Sequence, residues 1–590
     1  MTRRIRTTWH TLVLTFRADP VLAIVTTSLV VLAAGTVAGT AVSQRWLIDA
    51  AGLGDVAGVV AAVLVGVLAY TISAALSRVQ MNLRPYLADR VSVLVQQEVL
   101  RVAAHIPTVE HLERAEYLDR LTTLRRGTFA LSALCWTVVE TLAAVVSLGL
   151  SLWLLAAVHP SLFVLALCVV PVLVANSKAE RLKRTARDAV AQTVRREEAI
   201  HALCLQSDSA KEVQIAGNGP ELNRRAEQLW EEITRQQRTA LMKGIAWTTL
   251  GWACFFAGLA GALALVVHLV MEGRASVGDV VLVMSLAERL RQQVWGSVTG
   301  AGAIAQAGHI ADHYHWLRDY AATLPKGRTA APDSLTRGIA LHGVTFSYPG
   351  AETPCLKNIN LQLPAGSTVG LVGVNGAGKT TLVKLLTGMY RPGQGRIDVD
   401  GLPLTDIEAA QWATRCTGAF QDFAKLQLRA GHVVGVGDLR HLDDRDAVEN
   451  AVDQAGARHT VDLLPNGLDT QLGTVFGGVD LSHGQWQKLA LGRAMMRRSP
   501  LLLILDEPTA ALDPQAEHEL FESFSRQART TRHRGAITIL VSHRFSTVRA
   551  ADLIIVLSDG QIVENGSHTE LLALGGHYAE LYTAQVEAHR

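Results

Sequence analysis

The chain changes its hydrophobic rhythm about halfway along. Its first half carries long apolar runs at Val21–Ser43, Gly58–Ser77, Leu134–Val158, Ser161–Ala175, Trp247–Met271 and Val277 to about Gly296. A helix that crosses a bilayer needs about 20 mostly apolar residues, so the pattern predicts six membrane spans. The segments Arg78–Arg126 and Lys178–Lys243 are crowded with arginine and lysine, while the other connections offer only Arg45 and Arg274. Basic loops stay inside, so the crowded side is cytosolic. In the first crowded segment Val91, Leu94, Val95, Val99 and Val102 form one apolar stripe at helical spacing. Both segments therefore read as membrane helices that run on into the cytosol and return through short crossing pieces. The crossings are expected near Glu113–Leu121 and near Ala210–Leu222, where Gly217, Asn218, Gly219 and Pro220 interrupt the helix. Residues Met1–Asp19 set Arg3, Arg4, Arg6 and Arg17 around Trp9, Leu12 and Phe16, a pattern that suits an amphipathic helix on the cytosolic face. The run from Val21 is too long for a cleaved signal and reads as a retained span.

From Thr323 to Gly338 the chain turns polar, with Pro325 and Pro332, and reads as a linker. Beyond it, short apolar runs alternate with helical segments, the signature of an α/β domain. Ile339–Val344, Asn358–Leu363, Thr368–Val372 and Leu501–Leu505 are the predicted strands. The expected organisation is an all-α membrane domain over residues 1–322, a linker over 323–338 and an α/β domain over 339–590.

Composition sharpens this picture in two ways. At 590 residues, 49% apolar and only 18% charged, the chain is oilier than soluble proteins, where about a quarter of residues are charged. A net charge of +2, with the basic residues flanking membrane runs, gives no nucleic-acid footprint. The six cysteines are scattered without a C-x-x-C pair and read as reduced residues, with no disulfide framework or metal site implied.

The chemistry begins at Gly373–Thr381, G-V-N-G-A-G-K-T-T, which fits the phosphate-binding pattern G-x-x-x-x-G-K-[ST] between a predicted strand and a predicted helix. Gly373, Gly376 and Gly378 let the backbone around Asn375 turn its N–H groups into one concavity. Lys379 is placed to reach the β and γ phosphates, with Thr380 ligating Mg²⁺ and Thr381 continuing the helix. Asp506 and Glu507 follow the apolar run Leu501–Leu505, where a parallel strand would deliver them to the ligand edge of a sheet. Asp506 would hold Mg²⁺ through water, and Glu507 would polarise an attacking water. Tyr348 offers a ring for a purine, although a lone tyrosine there more often belongs to a core or turn. In the membrane half, Glu140 interrupts the third span, and Glu288, Arg289 and Arg291 interrupt the sixth. They point either to a substrate cavity or, for Glu288 and Arg291 three apart on a helix, to a structural pair.

Together these residues carry a family resemblance. Tyr348, the P-loop, Gln421 in A-F-Q-D, L-S-H-G-Q at Leu481–Gln485, the acidic strand end, A-L-D at Ala511–Asp513 and His543 in V-S-H-R stand in the order found in ATP-binding cassette (ABC) transporters. The half from Ile339 onward resembles their nucleotide-binding domain, and the six-span first half resembles the exporter type, the type I exporter or type IV ABC fold. The resemblance implies an ATP hydrolase with ATP and Mg²⁺ as cofactors. It also implies that Ser482, His483, Gly484 and Gln485 of one chain close over the ATP held by a partner chain. Gln421 would sense Mg²⁺ and the γ-phosphate, Asp513 would belong to the dimer seam, and His543 would hold the γ-phosphate and water in line. His483 departs from the family, which usually has glycine there. The expected partner is a second copy in preference to a different half-transporter, in the bacterial inner membrane with both termini and the nucleotide-binding domain cytosolic. The run Gly477–Leu491 resembles exporters of lanthipeptides and related modified peptides, so a modified peptide is the expected cargo, with a drug or lipid as the alternative. An ATP-gated regulator and an importer of the same fold are the remaining readings.

Overall fold

The computed structural model describes residues 13–588 apart from 14–15, 326, 508–525, 527–528 and 543–544. The predicted amphipathic helix at the start lies almost entirely outside the described residues. The chain forms two compact units, one of residues 1–101 and 121–316, the other of 102–120 and 317–590.

Of the six predicted spans, four lie inside longer helices, Leu134–Val158 coincides with its helix, and Ser161–Ala175 begins in the 3₁₀ turn Pro160–Phe163 and continues into the helix from Val164. These helices are α1 (Pro20–Gly52), α2 (Val56–Ala104), α3 (Ala115–Ser132), α4 (Leu134–Val158), α5 (Val164–Leu205), α6 (Ser207–Ala216), α7 (Gly219–Met271) and α8 (Val277–Thr323). Among the described residues four helical stretches are long and apolar enough to cross a membrane: Val56–Ala104, Trp136–Val158, Pro160–Leu205 and Gly219–Met271. The first predicted span appears as the shorter apolar stretch Pro20–Ala33. The sixth lies on α8, where Asp279, Glu288, Arg289 and Arg291 dilute its apolar character. Leu64, Leu142, Trp153 and Leu167 face outward, as lipid-facing side chains would.

Helices α5 and α7 pack along a seam of small residues spaced seven apart. A Cβ on Gly251 would stand 2.9 Å from the Ala175 Cβ and 3.1 Å from the Pro171 carbonyl oxygen, and one on Gly258 would meet the Cys168 sulfur at 2.4 Å. Only glycine permits so close an approach of two backbones. Leu155, Val172, Phe255, Leu286 and Leu290 fill the core of this unit.

The second helix break falls at Gly217–Pro220 as expected, and the first comes a few residues before the expected range. The first crossing piece is a single 3₁₀ turn at Glu110–Glu113, after which α3 already begins at Ala115. Pro107, which disfavours helix in the residue before it, accounts for the break after Ala104. The second is α6, closed by Gly217 in the left-handed conformation.

Among the described residues the second unit holds ten strands: β1 (Gly338–Phe346), β2 (Leu356–Pro364), β3 (Thr368–Val372), β4 (Gln394–Val399), β5 (Leu402–Pro403), β6 (Cys416–Ala419), β7 (Leu502–Asp506), β8 (Ile537–Val541), β9 (Leu553–Ser558) and β10 (Gln561–Gly566). One sheet runs β2-β1-β4-β5 and is antiparallel. The other runs β10-β9-β3-β8-β7-β6 and is parallel except at β10. Strands β3, β7 and β8 are buried almost throughout, which explains their unbroken apolar runs. A separate core of Val433, Val434, Val448, Leu472, Trp486 and Leu489 supports the helices between β6 and β7. Of the six cysteines, the five described ones are free thiols.

Candidate nucleotide site

Because β3, β7 and β6 are parallel members of one sheet, their carboxyl ends share an edge, the place where α/β folds bind ligands. The P-loop follows β3, Asp506 ends β7 and Gln421 follows β6. Gly373 has φ +156, and a Cβ there would collide with the Leu557 carbonyl oxygen at 2.3 Å. Gly378 has φ +102 and caps the helix α9 (Lys379–Leu386). The loop backbone at Val374, Asn375 and Gly376 is exposed and open to an anion.

Lys379 is only 7% exposed. Its ammonium donates to the carbonyl oxygens of Gly373 at 2.8 Å and Val374 at 3.1 Å. Burial lowers its pKa, opposed by the charges of Glu507 and Asp506. Asp506 is 1% exposed, and burial is the main cause that raises its pKa, with Glu507 and Asp422 adding to the rise. Neither Asp506 oxygen completes a hydrogen bond of ordinary geometry among the described residues, although Thr380 lies near enough to favour the charged form. A buried carboxylate with both oxygens open beside a P-loop hydroxyl fits a hard divalent cation such as Mg²⁺. Glu507 follows with φ +49 and its N–H donating to the Val541 carbonyl at 3.0 Å, which turns the chain sharply after the strand.

Tyr348 and Thr381 share a hydroxyl–hydroxyl hydrogen bond of 2.9 Å, and the Cys355 sulfur lies 3.4 Å from the same threonine oxygen. The Tyr348 ring packs edge-on against Phe346 at 5.2 Å and Tyr390 at 5.6 Å. Tyr390 in turn reaches the first crossing piece. Its hydroxyl hydrogen-bonds to Glu113, and the Val109 N–H donates to the Met389 carbonyl at 3.0 Å. Sequence reasoning missed Tyr390, because no local motif marks a residue whose partner is 277 positions away.

The L-S-H-G-Q stretch forms the start of helix α10 (His483–Met495). Ser482 is its N-cap, accepting from the Gln485 N–H at 3.3 Å while the Gln485 side chain accepts from the Ser482 N–H at 2.9 Å. This capping box holds Ser482 and His483 exposed at a helix start, with Gly484 beside them, so backbone donors and the helix dipole face outward. Gln421 is exposed as well. Asp513 and His543 lie outside the described residues.

In the membrane half, Glu140 pairs with Arg84 at 3.1 Å. Glu288 and Arg291 pair with each other, with Arg291 Nε donating at 2.8 Å, and Arg289 donates to the Thr40 hydroxyl. All four charges thus have partners within the chain; the Glu140 and Glu288–Arg291 pairs are exposed, and the Arg289 contact is partly buried.

Residues 356–510 match the family described as "ABC transporter". The chain is 33% identical over 357 residues to an ATP-dependent lipid A-core flippase of Aromatoleum aromaticum, covering 60% of this chain and 57% of that protein. It is 34% identical over 327 residues to the flippase of the same name from Pseudomonas aeruginosa, covering 54% and 52%. The matched stretches span just over half the length of these relatives. A solved structure of a bacterial Atm1-family ABC exporter with ATP bound superposes with a TM-score of 0.79 at 23% identity, covering 97% of this chain and 98% of that one.

Proposed function

We propose that this chain, an ABC transporter domain joined to a helical membrane region on the fold of an ABC exporter, is one half of an ATP-driven lipid exporter. The observation that carries the ATP reading is the facing pair of Lys379, buried and held over the P-loop, and Asp506, buried with open oxygens. Lys379 and the P-loop backbone bind the phosphates, and Thr380, Asp506 and Gln421 hold Mg²⁺, which neutralises phosphate charge when bound. Glu507 polarises the attacking water, and His543 keeps it in line with the γ-phosphate.

The working unit is a pair of copies. Ser482, His483 and Gly484 stand at a capped helix start, which suits capture of ATP across a head-to-tail seam. The second crossing piece supports the same reading: Leu205 is 81% and Ile215 90% exposed, an apolar face for the second copy to cover. ATP closes the two domains, the crossing pieces carry the movement, and the membrane path turns outward before hydrolysis resets it.

For cargo, lipid replaces the modified peptide expected from Gly477–Leu491, because the relatives are named as lipid A-core flippases. The setting is the bacterial inner membrane, with the nucleotide-binding domain and both termini in the cytosol.

The test is ATP hydrolysis by the purified chain in lipid nanodiscs, with anionic lipid and a cationic modified peptide compared as stimulants. Stimulation by lipid, abolished in Lys379→Ala, is expected. Stimulation by peptide alone would return the cargo to the peptide class, and hydrolysis without any stimulation would favour a gate.

A further inference from the structure

The stretch Gln421–Asp422–Phe423 faces two places at once. Asp422 is within electrostatic reach of Asp506, in the site built on this chain's own P-loop. Phe423, the next residue, packs with its ring centroid 5.1 Å from that of His483 at an interplanar angle of 42°. Phe423 and Leu481 also rest on one core with Trp486 and Leu489, so the segment after Gln421 and the start of α10 share a foundation. We infer that the Phe423–His483 contact couples the two nucleotide sites of the paired assembly, with His483 as a positioning residue.

The inference rests on the head-to-tail reading above. In that arrangement Gln421 serves the ATP on its own chain, while Ser482 and Gly484 serve the ATP on the other. A shift of residues 421–423 when nucleotide arrives at one site is passed through the Phe423 ring to the helix start that closes the other. Glycine at position 483, the usual family residue, has no ring to receive it. An aromatic pair is worth a factor of about two to ten in an equilibrium constant, enough to make binding at the two sites visibly cooperative.

The experiment measures ATP hydrolysis against ATP concentration for the full chain in nanodiscs and reads the Hill coefficient. The unaltered chain is expected to lie above one, with the number of sites in the pair, two, as the ceiling. His483→Ala, His483→Gly and Phe423→Ala should each lower it toward one, leaving only the cooperativity that closure of the paired chains supplies, and the double variant should lose no more than either alone, as befits one shared contact. His483→Phe keeps a ring and should hold the value of the unaltered chain, whereas His483→Leu, of similar bulk without a ring, should fall with the alanine variants. This ring-dependence separates coupling from simple loss of folding, which thermal melting of each variant monitors. Cooperativity undiminished in His483→Ala and Phe423→Ala, or absent from the unaltered chain, overturns the inference while leaving a Lys379-dependent ATPase intact. Hydrolysis that does not depend on Lys379 overturns the underlying reading instead.

Discussion

Tyr390 donates its hydroxyl hydrogen bond to Glu113, so the turn at Glu110–Glu113 is fastened to a ring that itself packs on Tyr348. Tyr348 is bonded through its hydroxyl to Thr381 of the P-loop helix. A continuous path of contacts therefore leads from the nucleotide loop to the first crossing piece. Burial and the Glu113 carboxylate both push the Tyr390 pKa up, so the phenol keeps its donor proton.

Removing that donor should loosen transmission and spare nucleotide binding. Tyr390→Phe keeps the ring and loses one hydrogen bond, worth about 1 kcal/mol or roughly fivefold in an equilibrium constant. Lipid-stimulated ATPase should fall toward the basal rate with ATP affinity unchanged. Unchanged stimulation, measured in nanodiscs, would detach Tyr390 from the path.

Lys379→Ala and Glu507→Gln should fail in different ways. The first loses the cation over the phosphates and with it ATP affinity, read by titration with a fluorescent nucleotide. The second keeps affinity but slows turnover by about a hundred- to ten-thousandfold, the usual worth of a general base. Equal loss of affinity in both would remove Glu507 from that role.

His111 gives the first crossing piece a pH dependence. It is buried against Tyr117 and Tyr320, and burial lowers its pKa below the usual 6.5 despite help from the Thr108 backbone and Glu110. The folded chain holds the ring neutral. Its contribution to stability is fully present above 6.5 and is lost as pH falls from there through the lowered folded value. Melting temperature should drop more between about pH 7.5 and about pH 5 in the unaltered chain than in His111→Phe, which keeps the ring without the charge. Parallel profiles would count against this assignment.

Gly251 tests the seam of the membrane half. Gly251→Val would force α5 and α7 apart and should cost about 1–3 kcal/mol, seen as a lower melting temperature and reduced yield. Gly261 meets nothing within 4 Å of a Cβ, so Gly261→Val is the matched control and should change little.

The parts legible in the sequence were those whose signals are local. Thr368–Val372 is a strand to the residue, because a five-residue apolar run before a glycine loop has few other solutions. The long helices around the six apolar runs were likewise set by length and hydropathy. The break at Gly217–Pro220 falls where those residues place it, whereas the first break comes a few residues before the expected range, next to Pro107. What sequence could not disclose is contact between distant residues: Glu113 with Tyr390, Phe423 with His483, Arg84 with Glu140 and Tyr348 with Thr381. The departure at His483 was visible in the sequence. Its ring partner became visible only once the segment after β6 was folded back onto α10.

The central claim is that ATP draws two copies together with the signature of one over the P-loop of the other. Its most direct test uses chains whose native cysteines are replaced, one carrying Ser482→Cys and the other Asn375→Cys, mixed in nanodiscs and oxidised with and without Mg²⁺ and ATP. A disulfide between the two chains that forms only with nucleotide is the predicted result. Absence of any such cross-link in the nucleotide-loaded state, while both chains still bind ATP, would contradict it.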